Sequence, residues 1–230
     1  MTKQKASQKD YWNSRAKDFS DLSAPLIPGK QDIDFMKKHL VKGGDTLILG
    51  VTPQLCTIAY EVSKTVTAVD FAEDMIKVLR HEGIKYICAE WNHYFEQTAD
   101  TFDTILTDGG LTCIEYPDVW RQLANNLAAH LRPDGIFAVR AFLNTEKPTQ
   151  DSYDNPNLKR FVAGMSRVDS NWMRQIRTHE NYKNYDVRYA FPREEELLST
   201  FDRLTLVEKF IPNYEEGEHF VSYAFELSGK

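Results

Sequence analysis

The feature of the sequence that most constrains its fold is an alternation between short apolar segments and amphipathic segments across residues 47–142. The apolar segments predict strands at 47–51, 66–69, 86–89, 102–106 and 136–142. Helices are predicted between them at 53–63 and 72–82, and a long helix is predicted from Pro117 onward. Strands that are apolar throughout, and that are separated by helices, indicate a mostly parallel sheet with both faces covered. The sequence therefore predicts a doubly wound α/β domain.

The carboxyl-terminal part of the chain departs from this alternation. Residues 144–190 are polar, aromatic and basic, and they show helical stretches but no clear strand. A helix is predicted at 194–200, and two strands are predicted at 204–211 and 220–227. Because the connection between these two strands is short, we expect them to pair antiparallel. The predicted sheet is thus parallel over five strands and closes with a hairpin.

The domain division follows from these patterns. A short helix is expected at 11–19, before a break that contains Pro25 and Pro28, and Asp32 is expected to cap the next helix. We therefore divide the chain into an N-terminal segment at 1–31 and a domain at 32–230, with an insertion at about 144–190.

Composition excludes several classes of function. The net charge of −6 argues against broad binding of a nucleic-acid backbone, so no nucleic-acid partner is expected. No apolar run approaches the roughly 20 residues of a membrane span, and the first residues lack the apolar core of a signal peptide. The three cysteines are far apart and odd in number, which favours reduced thiols over disulfides or a metal site. We expect a cytoplasmic protein without a membrane partner or a metal.

Residues suited to ligand binding follow four consecutive predicted strands. Ligands of open parallel sheets bind beyond the carboxyl ends of the strands. Gly50 lets the backbone approach a ligand closely, and Asp70 follows it by the spacing typical of a carboxylate that binds a ribose diol. The residues at these strand ends are Gly50, Val51 and Thr52, then Asp70, then Glu90 and Trp91, then Asp108 and Gly109.

The sequence of the loop after the first strand helps to decide between two candidate ligands, a nicotinamide dinucleotide and S-adenosylmethionine. A dinucleotide carries a pyrophosphate, which requires several glycines so that backbone amides can surround it. This loop has one glycine, and Pro53 lacks an amide N–H. S-adenosylmethionine has no phosphate and tolerates such a loop. The residues therefore favour S-adenosylmethionine.

These segments resemble those of the class I S-adenosylmethionine-dependent methyltransferases. The resemblance is carried by LILGVTPQL at 47–55, AVDFAEDMI at 68–76, CAEW at 88–91, FDTILTDGGL at 102–111 and LRPDGIFAVRAF at 131–142. The segment YWNSRAKDF at 11–19 resembles the lid that precedes many such domains. The loop departs from the usual acidic-x-Gly-x-Gly-x-Gly pattern, because Ile48 stands at the acidic position and Thr52 and Gln54 replace two glycines. It resembles a Gly-Val-Thr-Pro variant of the family.

The resemblance implies a Rossmann-like fold and a site for S-adenosylmethionine. It assigns cofactor contacts to Trp12, Arg15, Gly50, Val51, Thr52, Asp70, Phe71, Met75, Glu90, Trp91, Asp108 and Gly109. Asp70 is expected to bind the ribose hydroxyls, Phe71 and Met75 to flank the adenine, and Asp108 to lie near the transferred methyl group. Residues 1–31 are then a lid, in which Tyr11 also matches a position that closes over the cofactor.

The acceptor side is less constrained by the sequence. Methyl transfer from a sulfonium depends mainly on positioning and on exclusion of water, so no catalytic dyad is required. The insertion is rich in Lys and Arg, which suggests a lid that recognises an anionic small molecule; the alternative is a solvated helical face. The candidates for a catalytic role are His179, Tyr182 and Arg140. For Arg140 the alternative is an ion pair with Asp108, and for Tyr182 it is aromatic packing.

The predicted function is S-adenosylmethionine-dependent methylation of a small-molecule acceptor. One alternative is a non-catalytic protein that binds S-adenosylmethionine or a partner, and its support is the altered glycine loop. A third hypothesis is an NAD(P)-dependent reductase, which the same loop argues against.

Overall fold

The computed structural model describes residues 6–145, 175–177, 188–214 and 217–229. Its strands are β1 (Asp45–Leu49), β2 (Thr65–Asp70), β3 (Lys85–Cys88), β4 (Phe102–Asp108), β5 (Leu131–Phe142), β6 (Gln175–Arg177), β7 (Arg188–Ala190), β8 (Leu204–Phe210) and β9 (Phe220–Leu227). Its helices are α1 (Gln8–Arg15), α2 (Lys30–Lys38), α3 (Pro53–Val62), α4 (Glu73–Leu79), α5 (Trp91–Gln97), α6 (Asp118–His130) and α7 (Glu194–Thr200). Short 3-10 turns lie at Ala16–Asp21, Gly110–Cys113 and Gly217–His219.

Seven strands form one sheet in the order β3-β2-β1-β4-β5-β9-β8. The first five strands pair in parallel, and β9 pairs antiparallel with both β5 and β8. This arrangement confirms the predicted parallel sheet with a C-terminal hairpin. Because the five parallel strands run in one direction, their carboxyl ends lie along one edge of the sheet.

The inner strands β1, β4 and β9 are buried on both faces of the sheet, which explains why their side chains are mostly apolar. Successive side chains of a strand point to opposite faces. In β1, Leu47 packs in the cluster that contains Trp120 of α6, whereas Ile48 packs in the cluster that contains Phe35 of α2 and Leu55 of α3. Neither Leu47 nor Ile48 is exposed, and burial of each such side chain contributes about 1.5–3 kcal/mol.

Several element boundaries differ from the sequence prediction, three of them at β5, α4 and α2. Strand β5 begins at Leu131 instead of residue 136, and its pairing with β4 is irregular between Phe102 and Thr104. Helix α4 ends at Leu79 because Arg80 is extended, with φ −65° and ψ 139°. Asp32 is not the N-cap residue of α2, because the helix begins at Lys30 and Gly29 stands at the N-cap position. Asp32 lies in the first turn, where its carboxylate accepts a hydrogen bond from the Gly29 amide.

Some elements were not predicted. Helix α5 follows β3 directly, and β6 pairs antiparallel with β7 inside the segment that was expected to contain no strand. No helix in the described part of the chain is long and apolar enough to cross a membrane.

Candidate active site

A cavity of about 820 Å³ opens at the edge of the sheet where the parallel strands end. Its inner wall comes from the loops after β1, β2, β3 and β4, and its outer wall comes from residues 7–26. The residues that the sequence assigned to cofactor contacts all line this cavity, namely Trp12, Arg15, Gly50, Val51, Thr52, Asp70, Phe71, Met75, Glu90, Trp91, Asp108 and Gly109. The structure thus brings them together around one space.

The loop after β1 turns at Gly50, whose φ is +92°. A Cβ atom on Gly50 would meet Trp91 at an ordinary 3.7 Å, so the backbone conformation, and not a shortage of space, requires glycine here. Pro53 then occupies the first position of α3, where its fixed φ suits the helix and its missing N–H breaks no helical bond. One glycine and one proline are therefore enough to form this turn.

Asp70 connects the loops after β1 and β2. Its carboxylate accepts hydrogen bonds from the Val51 amide at 3.0 Å and from the Ala72 amide at 2.8 Å. Burial raises the pKa of Asp70, and the two amide hydrogen bonds oppose that rise. A carboxylate fixed in this way is a preorganised acceptor at the cavity surface.

Trp91 forms part of the inner wall at the start of α5. Its indole nitrogen donates to the Val69 carbonyl at 3.1 Å, and its ring lies against Gly50 and Gly110. A Cβ atom on Gly110 would collide with this ring. The sequence indicated Trp91 but missed the dependence on Gly110, because the close approach joins residues from two different loops.

Asp108 at the end of β4 is paired with a buried arginine. Arg140 is 0 % exposed, and its Nε donates to Asp108 Oδ1 at 2.5 Å. This confirms the ion pair that the sequence offered as the alternative for Arg140. Arg140 is fully buried and is not among the residues that line the cavity. The other two catalytic candidates, His179 and Tyr182, lie outside the described residues.

The outer wall is docked on the domain through side chains of α1. Asn13 Oδ1 accepts from the Asp74 amide at 3.0 Å, and Gln8 Nε2 donates to the Cys113 carbonyl at 2.5 Å. Trp12 packs against Ala72 and Met75 of the domain. The N-terminal segment therefore forms the outer wall of the cavity in this structure.

Sequence reasoning missed several apolar residues of the cavity, namely Phe19, Leu22, Leu26, Phe142 and Tyr189. The one signal for Phe142 was its place at the end of the fifth strand. Tyr189 gave no signal, because β7 was not predicted, yet β7 packs beside the 3-10 turn Gly110–Cys113.

The described lining of the cavity offers no activated thiol and no cluster of metal ligands. Burial raises the pKa of the Cys113 thiol to about 12, so the thiol is protonated at neutral pH. Among the residues that the structure describes, no group of His, Cys, Asp and Glu side chains could hold a metal ion. What the described walls offer is shape, apolar surface and fixed carboxylates.

The chain is similar to known methyltransferases in sequence pattern and in fold. A family model described as a methyltransferase domain matches residues 49–139, from the end of β1 to β5. No curated protein matches the chain.

Solved structures share the fold at low sequence identity. A Burkholderia thailandensis 1,6-didemethyltoxoflavin-N1-methyltransferase is 17% identical, with a TM-score of 0.65, and the match covers 96% of this chain and 87% of that one. A Clostridium acetobutylicum S-adenosylmethionine-dependent methyltransferase is 17% identical, with a TM-score of 0.64 and coverage of 95% and 100%. A Rhodobacter sphaeroides structure provisionally named a zinc-dependent alcohol dehydrogenase is 13% identical, with a TM-score of 0.67 and coverage of 95% and 98%.

Identities this low show a common fold and nothing about activity. The family-model match over residues 49–139 and the sheet order together show that the chain contains a segment similar to a methyltransferase domain and has the Rossmann-like fold of S-adenosylmethionine-dependent methyltransferases.

Proposed function

We propose that this protein binds S-adenosylmethionine in the cavity at the edge of the sheet and transfers its methyl group to a small-molecule acceptor. The observation that carries the proposal is the convergence of the predicted cofactor residues, from four strand ends and α1, on one cavity of about 820 Å³. That volume is within the range of roughly 300–1,000 Å³ typical of small-molecule sites.

The proposed cofactor contacts follow the placement of each side chain. Asp70 has already used amide hydrogen bonds to fix its carboxylate, and the remaining lone pairs can accept from ribose hydroxyls. Phe71 and Met75 offer apolar surface for an adenine, and Glu90 offers an acceptor for its amino group. Bound S-adenosylmethionine would supply a methyl group activated by its sulfonium.

The contribution of the protein to the reaction is positioning and exclusion of water. In-line transfer from a sulfonium gains most from alignment of the reacting atoms in a closed site. Residues 1–31 are proposed to act as the lid, and the position of Tyr11, Trp12 and Arg15 in the cavity lining supports this role. A general base is required only if the acceptor must lose a proton early. His179 and Tyr182 of the insertion remain the proposed candidates for that role.

The acceptor is proposed to be a small molecule. The Burkholderia thailandensis structure contains 1,6-didemethyltoxoflavin and S-adenosylhomocysteine, which supports an acceptor of that size class on this fold. Recognition of an anionic acceptor by the basic residues of 144–190 stays a hypothesis that rests on the sequence. The net charge of −6 supports the absence of a nucleic-acid partner, and composition supports a cytoplasmic enzyme.

The second candidate function is cofactor binding without catalysis. It is favoured by the loop of Gly50, Val51, Thr52 and Pro53, in which one glycine stands where the family usually has three. An NAD(P)-dependent reductase is less well supported, because Pro53 removes an amide that a pyrophosphate would need.

Calorimetric titration tests the proposal. We expect micromolar binding of S-adenosylmethionine and S-adenosylhomocysteine, no binding of NADH, and at least tenfold weaker binding (about 1.4 kcal/mol) in Asp70→Ala. Asp100→Ala, which changes an exposed aspartate outside the cavity, should bind as the unchanged protein does. Binding of NADH alone would contradict the proposal.

A second experiment separates the two candidate functions. The protein is incubated with S-adenosylmethionine labelled in its methyl group and with a small-molecule extract of cells, and Asp70→Ala serves as the negative control. Label in a small molecule is expected for the enzyme. Tight binding of S-adenosylmethionine with no labelled product would favour the second candidate function, cofactor binding without catalysis.

A further inference from the structure

We propose that Arg140 is a positioning residue of the cofactor site: its buried guanidinium fastens the end of β4 to the N-terminal segment, so that the inner and outer walls of the cavity are held in one arrangement. The link to the cofactor rests on the proposed function, whereas the link between the two walls can be tested without any ligand.

The guanidinium donates to both walls at once. Arg140 Nε donates to Asp108 Oδ1 at 2.5 Å, and Arg140 Nη1 donates to the Pro25 carbonyl at 2.8 Å. Asp108 lines the cavity as part of the inner wall, and Pro25 directly precedes Leu26, which lines it as part of the outer wall. A planar guanidinium has donors in fixed directions, so it sets the distance between its two partners.

The same guanidinium supports a third part of the wall through aromatic rings. It lies over the Phe142 ring at 5.2 Å and over the Phe220 ring at 5.8 Å. The Phe142 ring in turn lies so close to Gly109 that a Cβ atom there would be 2.5 Å from it. Phe142 and Gly109 both face the cavity, so a shift of Arg140 would reach both.

A second buried carboxylate, that of Asp32, lies close to the Arg140 guanidinium. Asp32 is 0 % exposed, and its Oδ2 lies 3.8 Å from Arg140 Nη1. Asp32 also accepts from the Gly29 amide at 2.9 Å and from the Tyr214 hydroxyl at 3.4 Å. The cluster Asp32–Arg140–Asp108 therefore connects the start of α2 with the ends of β4 and β5.

The charges of this cluster favour a positioning role over a simple stabilising one. Burial raises the pKa of Asp32 and of Asp108, and the neighbouring guanidinium opposes both shifts. The desolvation of buried ions offsets much of their attraction, so such a cluster adds little net stability compared with apolar residues. Fixed geometry between two separate segments is something that an apolar replacement would not supply.

The chain contains a matched control on the same strand. Arg132, at the opposite end of β5, also lies between two carboxylates: its Nη2 donates to Asp45 at 2.7 Å, and its Nη1 is bonded to Asp103. This second cluster is of the same composition, but none of its members lines the cavity. The Arg132 side chain is 37% exposed, whereas Arg140 is buried, so changes at Arg132 report the loss of a partly exposed cluster of this composition far from the site.

The experiment compares Arg140→Met and Arg140→Lys with Arg132→Met and Arg132→Lys. In the ligand-free proteins, amide hydrogen exchange is measured across residues 7–26 and 108–113. We expect at least tenfold faster exchange in both stretches for Arg140→Met and no change there for Arg132→Met. Arg140→Lys keeps the charge but loses the fork that reaches Pro25, so exchange in residues 7–26 should rise while that of 108–113 changes less.

Binding of S-adenosylhomocysteine is measured on the same variants. We expect at least tenfold weaker binding in Arg140→Met, and unchanged binding in Arg132→Met even where the two lose the same amount of thermal stability. If Arg140→Met does not fold, Asp32→Asn loosens the guanidinium without removing it, and a smaller rise of exchange in residues 7–26 is expected. Should the Arg140 variants change exchange and affinity no more than the Arg132 variants, the positioning role is overturned.

The outcomes also separate this inference from the proposed function. Failure of the unchanged protein to bind S-adenosylhomocysteine would count against the cofactor assignment alone. Normal binding together with unaltered amide exchange in the Arg140 variants would count against the positioning role of Arg140 alone.

Discussion

Gly109 and Gly43 have similar backbone conformations but different surroundings. Gly109 has φ +64° and Gly43 has φ +70°, a region in which side chains other than glycine are strained. No atom lies within 4 Å of the position of a Cβ on Gly43, whereas a Cβ on Gly109 would be 2.5 Å from the Phe142 ring. Comparing alanine variants of the two glycines therefore separates the cost of backbone strain from the cost of a clash with Phe142.

Gly43→Ala and Gly109→Ala are expected to differ in both stability and binding. Each should lose about 1–2 kcal/mol of unfolding free energy from the backbone term. Gly109→Ala should lose about 1–3 kcal/mol more, because Phe142 must move, and only this variant should bind S-adenosylhomocysteine more weakly. Urea unfolding and calorimetric titration give the two quantities. Equal losses of unfolding free energy and of binding in both variants would contradict the conclusion that packing of Phe142 against Gly109 maintains the cavity wall.

Asp70 gives the proposed binding a defined dependence on pH. Burial raises its pKa above the ordinary value of 3.8. The ionised carboxylate is the form that accepts from ribose hydroxyls, so affinity for S-adenosylhomocysteine should fall on acidification, at a higher pH than an exposed aspartate would require.

Protonation of Asp70 should have the opposite effect on the stability of the folded state. The folded state takes up the Asp70 proton more readily than the unfolded chain does, so protonation of Asp70 favours the folded state as the pH falls. Acidification should therefore weaken binding through Asp70 without unfolding the protein through this group. Titrations from pH 7 to pH 5 on the unchanged protein and on Asp70→Asn provide the measurement. The variant should bind weakly with little pH dependence, and a slope as steep as that of the unchanged protein would assign the effect to another group.

At the scale of elements, α1 adds an outer wall to the cavity at the edge of the sheet. It is short and polar, and it docks by few contacts: Trp12 packs on Met75, and Asn13 accepts from the Asp74 amide. Helices of this length have little stability of their own in water, so tertiary contacts must hold α1 in place.

Trp12→Ala should therefore weaken binding more than folding. We expect five- to tenfold weaker binding of S-adenosylhomocysteine, because the change removes part of the wall, and a loss of thermal stability of only a few degrees. Tyr60→Ala changes an aromatic residue that is 50% exposed and lies outside the cavity, and it should leave binding unaltered. A Trp12→Ala protein with normal affinity would show that α1 is not part of the cofactor site.

The elements that could be predicted are those whose pattern is local. Helix α7 and strand β9 were placed with their observed bounds, since each is a clear periodic segment between turn residues. Helix α5 was missed because its sequence WNHYFEQ mixes aromatic and polar residues with no helical stripe; its buried side chains Tyr94 and Phe95 are adjacent in sequence. The β6–β7 pair was missed because strands of three residues carry too little periodicity to detect.

At the scale of the whole molecule, the inner wall of the site was predictable and the outer wall only partly so. Parallel topology brings strand ends together, so residues that follow successive strands must be neighbours whatever their distance in sequence. The contacts between Pro25, Arg140 and Tyr214 obey no such rule, because they depend on how the segments before and after the sheet cross its edge. The sequence suggested only the Arg140–Asp108 part of this cluster.

The Arg140 cluster also has a consequence for the order in which the protein is made. The N-terminal segment leaves the ribosome first, yet the guanidinium that holds it belongs to β5, and that guanidinium also packs on Phe220 of the final strand. Domains acquire structure from the amino end during synthesis, but the contacts of Arg140 require the chain to extend as far as β9. A nascent chain that stops before Phe220 would therefore lack part of the cluster that fastens its N-terminal segment, and its cavity would not yet be held together.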